Sequence, residues 1–343
     1  MLCSVSAFTH QEHYSRTVTA KGTEMTTATY EKVRHVIPEV EWATFEPDIE
    51  AIERLKVEHD AVILAHNYMT PEIYHGVADI VGDSLALARE AQHVRAGTIV
   101  LAGVHFMAET AKLLNPAKRV LLPDLRSGCS LAESITPEQV RALRAEHPGV
   151  PVVTYVNTSA AIKAESDICC TSGNAVRVIE SLGVDKVIMI PDQYLARNVA
   201  ARTGVEVITH PGACEVHERF TPLDIAEIRQ GNEGVVVLAH PECPPDVVQA
   251  ADYAGSTADM QAYVERHRPA KVALITECSM SDNVAAGHPD IDFVRPCNLC
   301  PHMKRNTLSA IRASLEHGRH EITVEPSLED AARLSIERML AVS

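Results

Sequence analysis

Aromatic residues are scarce: Phe, Trp and Tyr make up 4% of the 343 residues, with a single Trp. A core built from this chain is therefore aliphatic, and a surface that stacks nucleic-acid bases on aromatic rings has little to draw on. Basic residues are also in deficit, 31 Lys and Arg against 46 Asp and Glu, for a formal charge of −15. That balance argues against the basic stripe of a nucleic-acid binder. No apolar run approaches the ~18–20 residues of a membrane span. The segment from Met1 to Gly22 lacks the apolar stretch of a secretory leader. No Gly-x-x-x-x-Gly-Lys-Ser/Thr phrase occurs, which removes a P-loop. The expectation is a cytoplasmic globular protein with small-molecule substrates and with neither a nucleic-acid nor a membrane partner.

Nine cysteines are present. An odd number dispersed through such a chain is a poor disulfide framework, so metal ligation or catalysis is expected of some and packing of the rest. The first 44 residues are polar and Thr-rich, and Met1 to about Thr29 reads as a disordered extension.

From residue 50 onward, a unit of about 86 residues recurs three times. Each copy has a β-like run ending in polar residues: Ala61-Val-Ile-Leu-Ala-His66, Pro151-Val-Val-Thr-Tyr-Val-Asn157 and Gly234-Val-Val-Val-Leu-Ala-His240. A phrase with Asp at its head and a hydroxyl five positions on follows each, at Asp79–Ser84, Asp167–Ser172 and Asp252–Thr257. Each phrase opens a helical pattern. Two more buried strands come next: Thr98–Ala102 and Arg119–Leu122, Lys186–Ile190 and Val205–Ile208, Lys271–Ile275 and Ile291–Val294. Short apolar runs alternating with amphipathic helices predict parallel sheets. The expected fold is α/β: three pseudo-threefold-related αβα sandwich domains with the active site on the central axis. The expected division is an extension at 1–44, repeats at 45–130, 131–215 and 216–300, and a C-terminal helical segment at 301–343.

The third strand of every unit runs into a cysteine: Cys129, Cys214 and Cys300, spaced by 85 and 86 residues. Ligands of parallel sheets gather at the carboxyl ends of the strands, so threefold packing would bring these thiols together. Three thiolates can hold three corners of a 4Fe-4S cluster and leave one iron free for Lewis-acid chemistry; zinc with three cysteines and a water is the competing metal. Cys169 and Cys170 are expected to line the site, and Cys243 and Cys278 to pack in or near it. Cys297 and Cys300 are close enough in sequence to predict a disulfide between them in oxidised, metal-free protein.

The first-strand ends carry His66 and Tyr68, Tyr155 and Asn157, and His240 and Glu242. They supply acid–base groups and neutral hydrogen-bond donors to one axial cavity, with His217 as a further candidate. Ser84, Ser172 and Thr257 read as helix N-caps. Three helix N-termini aimed at one point also make an anion site, which suggests carboxylate or phosphate substrates.

These residues resemble the quinolinate synthase family over roughly residues 50 to 325. The resemblance rests on Ala65-His-Asn-Tyr68, Val81-Gly-Asp-Ser84, Gly128-Cys-Ser-Leu-Ala132, Tyr155-Val-Asn-Thr-Ser159, Asp167-Ile-Cys-Cys-Thr-Ser172, Gly212-Ala-Cys214, His240-Pro-Glu242 and Cys300-Pro-His-Met-Lys-Arg-Asn306. Met69 stands where the family often has Gln, and Gly173 where Ser is common. The resemblance implies one 4Fe-4S cluster per chain on Cys129, Cys214 and Cys300. It implies condensation of iminoaspartate with dihydroxyacetone phosphate to quinolinate, releasing phosphate and two waters, in NAD biosynthesis. It places His66, Ser84, Tyr155, Asn157, Ser172, His240, Glu242 and Thr257 at substrate-binding positions, with Val156 and Pro241 inside the same phrases. Proton transfer falls to Tyr68, His217 and Glu242, and a transient contact with L-aspartate oxidase is implied as the source of the imine. Outside that family, the cysteines would also suit another cluster-dependent hydro-lyase acting on a hydroxy acid, or a non-enzymatic iron–sulfur sensor.

Overall fold

The computed structural model describes residues 28–342. Nearly all of the expected disordered extension, with Cys3, lies outside these residues. Among the described residues twelve short strands form three separate four-stranded sheets, and every strand pairing is parallel. The first sheet holds β1 (Ala61–His66), β2 (Ile80–Gly82), β3 (Thr98–Ala102) and β4 (Arg119–Leu121) in the order β2-β1-β3-β4. The second, from β5 (Val152–Tyr155), β6 (Ile168–Cys170), β7 (Lys186–Ile190) and β8 (Glu206–Thr209), has the order β6-β5-β7-β8. The third repeats it as β10-β9-β11-β12, with β9 at Val236–Ala239, β10 at Tyr253–Ala254, β11 at Lys271–Ile275 and β12 at Asp292–Val294. The α/β fold of three αβα units is therefore as expected.

The sequence pattern predicts three strands per unit, and each sheet has four. The additional edge strands, β2, β6 and β10, are two or three residues long and come from the Asp-headed phrases. The Asp itself makes them pair. Asp79, Asp167 and Asp252 each accept a hydrogen bond from a backbone N–H of the neighbouring first strand, at Ile63 (2.8 Å), Val152 (2.7 Å) and Val237 (2.7 Å). Each also pairs with a cation on the helix before that strand: Lys56 at 2.7 Å, Arg144 at 2.8 Å and Arg229 at 3.1 Å. The repeated Asp is thus a structural clamp between helix, first strand and edge strand. Asp252→Ala is expected to lower stability by ~1–2 kcal/mol, the worth of a charge-assisted hydrogen bond, while turnover per folded molecule is unchanged. Urea unfolding beside a specific-activity measurement checks both halves; a variant of parent stability would refute the clamp.

Those cations place the start of each unit at a helix: Glu39–Glu58, Pro137–Glu146 and Pro222–Gly231. The expected boundary after residue 44 falls inside the first of them, because Trp42, Ile49, Ile52 and Leu55 bury one face of a single continuous helix. Central strands β3, β7 and β11 are buried almost throughout, at roughly 1.5–3 kcal/mol per large aliphatic side chain. The cores are not equivalent: units one and two share one continuous cluster, whereas the third sheet is covered by its own. Helix Leu308–His317 packs on the leading helix of unit one, and helix Pro326–Val342 packs on unit two, across helix Ala160–Ala164 and β6. Among the described residues no helix is long and apolar enough to cross a membrane.

Candidate active site

Because every pairing is parallel, the polar residues expected at first-strand ends share one edge of each sheet. His66 ends β1, Tyr155 ends β5 and His240 directly follows β9. The three edges meet around one cleft. His66, Tyr68, Ser84, Tyr155, Asn157, Ser172, His217, His240, Glu242 and Thr257 line it, as do Cys129, Cys214 and Cys300. Val156 and Pro241 do not. Val156 is buried behind the wall with its carbonyl bonded to Lys163 Nζ at 2.9 Å, and the Pro241 carbonyl accepts from Asn198 at 2.8 Å.

The hydroxyl residues differ from their expected local role. Asp83 and Ser256 are the N-caps of helices Ser84–His93 and Thr257–His267, so Ser84 and Thr257 are the first helical residues. Asn174 occupies the cap position of helix Ala175–Ser181, two residues past Ser172. With the caps supplied by neighbours, the hydroxyls are not spent on helix backbone.

The three cysteines sit in matching local structure. Cys129 immediately precedes helix Ser130–Glu133, Cys214 and Cys300 lie three residues before the short 3-10 helices His217–Arg219 and Met303–Arg305, and each sulphur is faced by the backbone N–H groups two and three residues on. These are Leu131 and Ala132 for Cys129, Val216 and His217 for Cys214, and His302 and Met303 for Cys300. Such N–H groups are the hydrogen bonds that ligated sulphur accepts in iron–sulfur proteins. Burial nevertheless pushes the Cys129 thiol up to about 12 and raises Cys214 and Cys300 as well, so a bound cation is needed to keep them as thiolates. One thiol per unit, convergence on one cleft and N–H groups aimed at sulphur fit a three-cysteine cluster.

The other cysteines correct the expectations. Cys169 and Cys170 lie in β6, fully buried and away from the cleft, with Cys169 Sγ 3.3 Å from Ser335 Oγ on the last helix. Edge-strand formation by their phrase turned them into the core. Cys243 is a core thiol. Cys297 is disulfide-bonded to Cys278, not to Cys300, because Cys278 heads a helix whose preceding Glu277 bridges the Cys297 loop at Asn298. Cys300 stays free to ligate.

One chain of close polar contacts crosses the cleft. Tyr155 hydroxyl donates to Glu242 Oε1, and Glu242 Oε2 lies 2.8 Å from His217 Nδ1. His217 Nε2 is 2.9 Å from Thr276 Oγ1, which is 2.6 Å from the Tyr68 hydroxyl. Burial opposes the charge on Glu242, but His217, His240 and the Tyr155 hydroxyl outweigh it and hold its pKa well below the ordinary carboxylate value. Burial raises Tyr68 and Tyr155, with the Glu242 charge adding to it, so both are proton-bearing at neutral pH. Burial also lowers His66 to about 4 and His240 to about 3. The chain of contacts therefore sets the Glu242 carboxylate among hydroxyl and imidazole groups, able to give or accept protons at several points.

Thr276 is absent from the sequence reading, as is a second anchoring set. Lys304 Nζ reaches the Tyr68 carbonyl at 2.9 Å, Ser279 Oγ at 2.6 Å and buried Glu277 at 2.9 Å. It ties Tyr68 of unit one to unit three. Both Thr276 and Glu277 directly follow strand β11, and the polar pair at that strand end is the signal the sequence carries for them.

The lowered histidines make stability pH-dependent. Below the unfolded value of 6.5 the unfolded chain takes up protons that folded His66 and His240 refuse, so stability falls as pH drops from about 6.5 toward 4. The thermal midpoint is expected to be lower at pH 5.5 than at 7.5, and His66→Asn is expected to flatten that slope. An unchanged slope in the variant would contradict the neutral assignment.

Residues 50–341 match the protein family described as quinolinate synthetase A protein. This chain belongs to that family. Similar proteins include "Quinolinate synthase 2" of Mesorhizobium japonicum, 67% identical over 91% of this chain and 97% of the relative. "Quinolinate synthase" of Agrobacterium fabrum is 63% identical over 99% of both chains, and its namesake of Caulobacter vibrioides is 57% identical over 92% of this chain and 87% of the relative.

Proposed function

We propose that this chain is a cytoplasmic quinolinate synthase that condenses iminoaspartate with dihydroxyacetone phosphate, releasing phosphate and two waters, for NAD biosynthesis. The observation that carries this reading is one cysteine from each unit meeting beside the Tyr155–Glu242–His217–Thr276–Tyr68 chain. Cys129, Cys214 and Cys300 would hold a 4Fe-4S cluster. When bound, that cluster supplies a Lewis-acidic iron that eases loss of hydroxide. The remaining work belongs to the side chains. Ser84 and Thr257, each at the first turn of a helix, and Ser172 bind substrate carboxylates and phosphate through hydroxyl and backbone donors. Neutral His66, His240 and Asn157 orient the substrates without adding charge. Tyr68 donates or recovers a proton at its hydroxyl, with Thr276 and His217 passing it to and from Glu242. The enclosing edges of three sheets limit water around a hydrolysable imine.

Anaerobically prepared protein supplied with both substrates is expected to form quinolinate and phosphate together. Dehydration of a hydroxy acid without any need for phosphate would instead support the hydro-lyase reading. Absence of turnover in iron-loaded protein would support the sensor.

A further inference from the structure

We propose that the cluster-free chain binds a single divalent metal ion of the zinc class through Cys214, His217 and Glu242. One ligand atom from each of the three lies within 4.8 Å of the other two. His217 and Glu242 are buried, at 1% and 3% exposure. The decisive detail is at the imidazole. His217 Nδ1 stands 2.8 Å from Glu242 Oε2, yet it makes no directed hydrogen bond. A ring lone pair and a carboxylate oxygen this close repel unless a proton or a cation is shared between them.

The neighbours favour the cation. The other ring nitrogen, Nε2, is 2.9 Å from Thr276 Oγ1. Donation from Nε2–H to that hydroxyl leaves Nδ1 bare, which is how a metal-ligating histidine is ordinarily fixed. Glu242 Oε1 is occupied by the Tyr155 hydroxyl, so Oε2 is the oxygen available to a metal. One thiolate, one carboxylate and a neutral imidazole around a divalent ion sum to zero, as a buried site demands. On binding, the Cys214 thiol gives up its proton to solvent and the metal–sulphur bond takes its place. Three protein ligands of S, N and O type with one position left for water match a four-coordinate zinc site. The ion and a cluster both require Cys214, so the two occupancies are mutually exclusive. The site also sequesters Glu242 and His217, which would leave a metal-loaded chain unable to move protons.

The test is a Co²⁺ titration of the full-length, cluster-free, reduced chain under anaerobic conditions, read by absorption. One equivalent is expected to bind with a thiolate-to-cobalt charge-transfer band and four-coordinate d–d bands, and Zn²⁺ is expected to displace it. Cys129→Ser and Cys300→Ser are expected to bind as the parent does. Cys214→Ser is expected to lose the charge-transfer band, and His217→Ala and Glu242→Gln to weaken binding by at least about tenfold. Circular dichroism identifies any variant that has not folded; near-isosteric Glu242→Gln keeps the test decisive if His217→Ala does not. Loss of the band in Cys129→Ser or Cys300→Ser with retention in His217→Ala would place the ion on the three cysteines and overturn the proposal. A parent chain without a thiolate band would overturn it too.

Discussion

Serine at Cys129, Cys214 or Cys300, one at a time, is expected to abolish quinolinate formation and the four-iron electron paramagnetic resonance signal of the reduced protein. Each cysteine is the sole thiol that its unit offers to the cleft, and each sulphur rests against two backbone N–H groups. A serine oxygen is a harder and poorer donor to such iron, and no neighbouring thiol can replace it. Serine at Cys169, Cys170 or Cys243 is expected to cost stability, because those thiols are fully buried, but to leave the signal in place. Serine at Cys278 or Cys297 removes the disulfide without removing a ligand. Loss of the signal in Cys169→Ser or Cys170→Ser with retention in Cys214→Ser would refute the threefold assignment.

Glu242→Gln is expected to lower kcat by about 10²–10⁴, the span of a general acid–base contribution, with iron content unchanged. Glu242 is the one carboxylate of the Tyr155–Glu242–His217–Thr276–Tyr68 chain, its Oε1 accepting from the Tyr155 hydroxyl and its Oε2 lying 2.8 Å from His217 Nδ1. The amide preserves shape and cannot take a proton from His217. A merely structural role would leave the per-iron rate within a few-fold of the parent, and that result would remove Glu242 from proton transfer. Because burial keeps His66 and His240 neutral down to about pH 4, the acid limb of the activity profile is not expected to reflect either of them.

The architecture was legible because the threefold recurrence is written in spacing. Once Cys129, Cys214 and Cys300 fall in register with three strand endings, parallel sheets leave one place for them to meet. Central strands β1, β3, β7 and β11 follow their apolar runs to the residue. What spacing could not carry was the local competition for each backbone group. Asp83 and Ser256 took the caps assigned to Ser84 and Thr257, since each precedes a helix by one residue and reaches its N–H groups first. Two-residue strands such as Tyr253–Ala254 are too short for any periodicity, and only the Asp252 carboxylate reveals their pairing. The disulfide lay between residues 19 apart, so proximity in sequence misdirected the choice of Cys300 over Cys278. Thr276 and Lys304 act through contacts more than 200 residues away, at Tyr68, which no local pattern encodes.

The central claim is that the three units would lend one thiolate each to a four-iron cluster, leaving one iron without a protein ligand. Mössbauer spectroscopy of the ⁵⁷Fe-loaded chain, recorded anaerobically with and without quinolinate, tests it most directly. The account predicts that the iron signal divides three to one and that the single site alone shifts when quinolinate is added. Four equivalent irons with no response to quinolinate, or a fully active chain holding zinc and no iron, would contradict it.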